Sequence, residues 1–434
     1  MTYCLTIFKL KSLPLALALG FISFSLPGKH RIMSNRFISF EVYSLLIQDQ
    51  SGSPIPFATL TNTSQNYSRP FDNTGKMELE SKDLKADDNI IISCLGYQTK
   101  NLKGLDIMSV KSLAVTLKDD IVSLHEVKII PSKYDLIFKN IQALPFPLYY
   151  QAYATDGRYA YTIGGESGAT VCTQALKFDP HSNTWSLLAN HLKPTIQSTA
   201  TYLPISNKIY VFGGITSLVN FTYFENVETI DVNTGKVEIL NVKNPMPSAY
   251  GGSDTWANKI YLFGGCSDIN NYTSSKATND FYEYDPVTNV FTRLPNMPEK
   301  LQTSGRIING ILYILGGFNP QNAHISRNIY SYNIREKYWK LLGKLPEEVS
   351  GNGLSAIGNL IFVSGGYEKE TFLGFLNTQT GEFTKLKSNM TGRRHSASVI
   401  LYNHLMIIGG KGDGNITGLN NVQVANLESL ITNQ

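Results

Sequence analysis

The sequence predicts an all-β protein in which a six-bladed β-propeller follows a small β-sandwich. Glycine doublets that end apolar strands recur at Gly164-Gly165, Gly213-Gly214, Gly264-Gly265, Gly316-Gly317, Gly365-Gly366 and Gly409-Gly410, spaced by 49, 51, 52, 49 and 44 residues. A self-similar period of that length belongs to propellers and solenoids. Composition agrees, since 24 Tyr, 21 Phe and 35 Gly suit strands closed by tight turns better than packed helices. A chain of 434 residues is also long enough for two domains.

Within each repeat a large residue stands three positions before the first glycine, at Tyr161, Tyr210, Tyr261, Tyr313, Phe362 and Met406, in an apolar run that reads as a buried strand. After a loop of variable length, a second strand ends in Asp or Asn, and a bulky residue follows six positions on. The pairs are Asp179 and Trp185, Asp231 and Val237, Asp285 and Phe291, Asn333 and Trp339, and Asn377 and Phe383. Fixed spacing means a hairpin of constant geometry, because Asp and Asn side chains bond their own turn backbone. The bulky residue is then expected to pack against the neighbouring blade.

This order of apolar strand, Gly-Gly, loop, strand and Asp-Pro-x-Thr-x-x-Trp resembles the kelch repeat over residues 134 to 434, and the propeller domain is drawn at 131–434. Val237 and Phe383 replace the Trp of that pattern. The sixth repeat lacks a clear fourth strand, because little chain follows Asn426, the counterpart of Asn333 and Asn377. Ser132 to Ile137 reads like the Tyr338-Trp339-Lys340-Leu341-Leu342 strand, with Tyr134 lying 30 residues before Gly164 where Trp185 lies 28 before Gly213. The N-terminal segment is therefore expected to supply the outermost strand of the last blade and remove an exposed edge.

Residues 39–130 alternate short apolar strands with turns, as a sandwich does, with a first strand at Phe40 to Ile47. Asp49, Gly52, Pro54-Ile55-Pro56-Phe57-Ala58, Asp72-Asn73-Thr74-Gly75-Lys76-Met77, Leu95-Gly96-Tyr97 and Leu124-His125-Glu126-Val127 resemble the carboxypeptidase regulatory-like domain. That family is a transthyretin-type sandwich found before TonB-dependent transporters of the Bacteroidetes, and the resemblance implies a non-catalytic module. Lys9 and Lys11 precede the apolar stretch Leu13 to Phe24, so residues 1–25 read as a secretory signal peptide. The stretch is shorter than the ~20 residues of a membrane span, and nothing later is apolar enough to be one. Secretion across an inner membrane, to the periplasm or the outer-membrane surface, is the expected localisation.

The formal net charge is +4 with no run of Lys and Arg, so no nucleic-acid partner is expected. Cys4, Cys94, Cys172 and Cys266 show no CxxC spacing and imply neither a disulfide framework nor a zinc site. His181 and His191 fall in turns and read as solvated residues, so no metal or cofactor is expected.

In a propeller the innermost strands surround the axis, and ligands sit at the mouth shared by the strand-entering loops and the loops after Gly-Gly. Alignment on the doublets puts Tyr150, Gln197, Tyr250, Gln302, Gly351 and His395 at one level near that mouth, with Arg394 beside it. The next level is small: Ala152, Thr199, Gly252, Ser304, Gly353 and Ala397. A third holds Asp254 and Arg306 in adjacent blades, which read as a charge pair of either structural or ligand-binding kind. Rings, amides and a guanidinium suit a sugar or a peptide. With no nucleophile, base and orienting acid in view, no catalytic residue is assigned. The expected function is a non-catalytic envelope module binding a glycan or a protein. The alternative is a sugar-converting enzyme like the periplasmic kelch proteins that equilibrate sialic acid anomers, although their helical insertion has no counterpart here.

Overall fold

The computed structural model describes residues 41–434 except 57, 66, 95–96, 119–126, 131–134, 194–195, 218–221, 268–274, 413, 415–416 and 432–434. The expected signal peptide, Phe57, Leu95-Gly96 and Leu124-His125-Glu126 lie outside the described residues.

The N-terminal part is two sheets around one core. Strand Val42–Gln48 buries Tyr43, Leu45 and Ile47 on alternate positions, as the two-residue period of a strand requires. It lies between Lys76–Glu80, antiparallel, and Ser112–Thr116, parallel. The second sheet runs Tyr67–Pro70, Thr59–Asn62, Asn89–Ser93, Lys100–Lys103, and its Leu60, Ile90 and Ile92 share a core with Leu45, Ile47 and Leu79. The Asp72 to Lys76 turn is closed by the Asp72 carboxylate, which accepts from the backbone N–H of Thr74 and of Lys76, each at 2.8 Å.

Beyond it, among the described residues, six sheets of four or more strands surround an axis. Their innermost strands are Ala152–Thr155, Thr199–Leu203, Gly252–Trp256, Gly305–Ile308, Gly353–Ile357 and Ala397–Leu401, each packed beside the next and the last beside the first. The outer hairpins keep one register: Phe178 faces Trp185, Ile230 faces Val237, Tyr284 faces Phe291, Tyr332 faces Trp339 and Leu376 faces Phe383. The indole N–H groups of Trp185 and Trp339 donate to Gln142 O and Pro295 O in the connection from the preceding blade, at 3.1 and 2.9 Å. Both glycines of every doublet have positive φ, and a Cβ on Gly213 would lie 2.1 Å from Ser248 O at the approach to the next blade. Only glycine permits that backbone to come so close.

The ring closes with N-terminal chain, but not with the segment expected. Lys139–Asn140 forms the outer strand of blade 6, opposite Val424 and Gln423. Continuing that register sets Phe138, 3% exposed, opposite Ala425, where the other blades carry Trp, Phe or Val. Asp135–Leu136 instead pairs in parallel with Lys387–Ser388, while residues 131–134 lie outside the described set. The aromatic ring of Tyr134 was a misleading marker. Phe138 lies 26 residues before Gly164, the spacing of Trp339 from Gly365. Upstream, Lys128–Ile130, placed by the sequence at the end of the sandwich, adds to blade 5 as a fifth strand parallel to Glu382–Lys385.

Candidate ligand-binding site at the propeller mouth

Four innermost strands are entered through a residue bridged to the position two beyond the first glycine of the doublet: Tyr149 to Glu166, Ile196 to Ile215, Ala249 to Cys266, Arg394 to Lys411. The next residue turns into the left-handed region, at Tyr150 (φ 56), Gln197 (62), Tyr250 (58) and His395 (51), with Gly351 (63) in blade 5. These are five of the six residues of the predicted ring. Their backbones are stitched around the axis, Gln197 N to Tyr150 O at 2.9 Å, Tyr250 N to Gln197 O at 2.9 Å and His395 N to Gly351 O at 2.7 Å. Four non-glycine residues in this costly region at one ring are strain of the kind that collects at functional sites.

Blade 4 departs from the pattern. Gln302 is itself the bridged residue, paired with Phe318, and Thr303 donates to Tyr250 O at 3.2 Å. One residue is missing there, so Gln302 stands a step outside the predicted level. Its amide N–H reaches Cys266 Sγ at 2.9 Å, and it still lines the mouth.

Side chains of the ring close over the axis. The rings of Tyr150 and His395 lie 4.3 Å apart, Tyr150 and Tyr250 5.8 Å in a T-shape, and Tyr250 and His395 5.8 Å. Tyr367, from the loop after Gly366, lies 4.9 Å from His395. Burial, with help from Arg394 and Lys411, holds the His395 imidazole down to about 3, so it is neutral at ordinary pH. Around these rings lie an inner cavity of about 150 Å³ and an outer one of about 330 Å³ that share lining residues.

Buried polar atoms without a hydrogen-bond partner gather in residues that line the inner cavity. They are both amide atoms of Gln197, Gln151 Oε1, Asn352 Nδ2, His395 Nε2 and the hydroxyls of Ser198 and Ser396. Gln151, Gln197 and Ser396 are each about 5% exposed, so water at the surface does not satisfy them. Gln151, Ser198, Asn352 and Ser396 directly follow ring residues and were not predicted. A left-handed residue breaks strand alternation, so two successive side chains face the cavity.

Three predicted members have other roles. Arg394 turns from the mouth: its guanidinium pairs with Glu370 and stacks 4.7 Å from the Tyr367 ring centre. Asp254 and Arg306 share the third level, opposite Tyr261 and Tyr313, yet no ion pair joins them. The Asp254 carboxylate accepts from Thr255 N at 2.9 Å and Ile307 N at 2.7 Å, and burial raises its pKa. Arg306 extends instead to Leu354 O and, at 3.2 Å, to the Tyr153 hydroxyl of the opposite blade, which floors the inner cavity.

With this geometry in place, comparison with known proteins decides the family. The KLHDC2/KLHL20/DRC7 Kelch-repeats domain model matches residues 149–366, half of the chain. The chain belongs to the kelch-repeat family. Kelch-like protein 23 of Homo sapiens is 25% identical over 213 residues, 49% of this kelch chain and 36% of that protein. Kelch-like protein terF of Aspergillus terreus is 24% identical over 299 residues, 63% of each. The kelch chain thus spans about a third of the length of the first of these relatives and under two thirds of the second. The solved structure of YjhT is similar in fold, with a TM-score of 0.57 at 18% identity, covering 65% of this chain and 95% of that one.

Proposed function

We propose that this kelch protein is a non-catalytic binding module of the bacterial cell envelope that takes a polar ligand, part of a glycan or of a protein, into the propeller mouth. The observation that carries this reading is the convergence of residues with partnerless buried polar atoms around the cavity above Arg306. Leaving such groups unsatisfied costs about 1–3 kcal/mol each, which a ligand with matching groups recovers. Tyr150, Tyr250 and Tyr367 supply the aromatic anchors that dominate binding surfaces. The basic residues and apolar stretch within residues 1–25 support export. His395, its imidazole held down to about 3 by burial, is a weak general base for anomer exchange.

A glycan array and a peptide library probed with the purified chain test it, beside an NMR anomer-exchange assay. Tyr250→Ala is expected to weaken the ligand found by more than ~1 kcal/mol, whereas Lys208→Ala, on the turn at the far end of blade 2, is silent. Normal binding by Tyr250→Ala with loss in Lys208→Ala moves the site off the mouth.

A further inference from the structure

We infer that the ligand group entering the inner cavity is an uncharged sugar ring, selected against acidic sugars. The inference rests on the mouth being the binding site and names what that site accepts.

Three features of the cavity point the same way. Its lining side chains are a mixture: the amides of Gln151, Gln197 and Asn352 and the hydroxyls of Ser198 and Ser396 between them both donate and accept. Sugar hydroxyls also donate and accept, so each finds a partner. A carboxylate or phosphate only accepts, and it would face the carbonyl oxygen of Gln151, whose amide nitrogen is held by Ile408 O, with no hydrogen to offer it.

The second feature is charge. Among the described lining residues Arg306 is the cation of the inner cavity, and three of its N–H groups already donate to Gly305 O, Tyr153 Oη and Leu354 O. The Asp254 carboxyl lies close enough for the two charges to interact. Arg394 is paired with Glu370, and Lys411 Nζ rests 4.7 Å from the Tyr149 ring centre. His395 is neutral. An anion would therefore lose its hydration without gaining an unengaged cation.

The third feature is shape. The Tyr150 and Tyr250 rings meet edge to face over a cavity of about 150 Å³, which has room for one small ring and not for a folded segment. Their apolar faces suit the C–H face of a pyranose, and the polar atoms below suit its hydroxyls.

Matched pairs that differ only in charge provide the test: methyl glucopyranoside against methyl glucuronide, and methyl galactopyranoside against methyl galacturonide. Binding to the full chain is read by calorimetry and saturation-transfer NMR. At least one neutral glycoside is expected to bind about tenfold or more tighter than its acidic partner. Gln197→Leu, checked for an unchanged melting curve, should abolish that binding. Ser396→Ala, which removes a hydroxyl and little volume, should weaken it about threefold to tenfold. Equal or tighter binding of the acidic partner, lost in Gln197→Leu, overturns the charge selection and leaves the mouth standing. Binding that survives both Gln197→Leu and Tyr250→Ala overturns the mouth reading too. If none of the four glycosides binds while a peptide does, the sugar assignment fails.

Discussion

The guanidinium of Arg306 in blade 4 crosses the propeller axis to the Tyr153 hydroxyl of blade 1, and both groups converge on the backbone of Leu354 in blade 5. Three blades are thereby tied at a level where the channel would otherwise run through. Tyr153→Phe keeps the ring and removes the hydroxyl, and is expected to cost about 1–2 kcal/mol in urea unfolding. A neutral result would show that Arg306 holds the floor without Tyr153.

Glu228 makes stability depend on pH. It is fully buried, its Oε1 accepts from Lys193 N at 3.0 Å, its Oε2 has no partner, and burial pushes its pKa up to about 7. The folded state therefore holds a proton that the unfolded chain releases near 4.5. Stability is unpenalised below about 4.5, falls as pH rises to about 7, and stays lowered above it, by about 3 kcal/mol in total. Glu228→Gln should gain on the wild type as pH goes from 5 to 8. A constant difference between the two across that range would mean the carboxyl titrates normally.

At the small level of the channel, a Cβ on Gly353 would lie 2.7 Å from Ser398 Cβ and 3.1 Å from Ser364 Oγ. Gly353→Leu should overpack the axis and cost about 1–3 kcal/mol by thermal or chemical denaturation. Unchanged stability would mean that the inner strands can spread apart at no cost.

The six-fold period and the constant hairpins were legible because they rest on local rules, glycine at positive φ and Asp or Asn at turns. The backbone level of the ring was legible in five blades because the doublets set the register of each innermost strand. Gln302 was misplaced because blade 4 drops the left-handed residue, a one-residue change that the doublet spacing absorbs within its variable loops. Asp254 and Arg306 stand at the expected level without pairing with each other, and Arg394 turns from the mouth to Glu370 and Tyr367. A long side chain chooses among groups on several blades, and sequence proximity carries no information about reach across an axis.

Closure of the ring is testable at Phe138. Its backbone N–H donates to Asn389 Oδ1 at 2.7 Å, its carbonyl accepts from Asn389 Nδ2 at 3.0 Å, and its ring joins the core of Phe362, Leu405 and Ala425. Phe138→Ala should cost about 3–5 kcal/mol, whereas Ile137→Ala, at a side chain 60% exposed, should stay within about 0.5. Comparable small effects at both positions would place the closing contact elsewhere.

Because His395 is neutral far above its lowered pKa, ligand affinity should be flat with respect to that group between pH 5 and 8. A loss centred near 6.5 that disappears in His395→Gln would show an imidazole open to water.

The stretch that leads into the propeller also has a mechanical meaning. Lys128–Ile130 lies along blade 5 in a parallel ladder, Asp135–Leu136 along the strand that leaves it, and Lys139–Asn140 on blade 6. Tension applied to the N-terminal sandwich is thus delivered to two blades in succession, across their seam. A pull along these strands loads their ladders in shear, so that the bonds of each resist together. The tether doubles as a strap: pulled from its N-terminal side, the ring yields only after the short ladders of both blades have slipped.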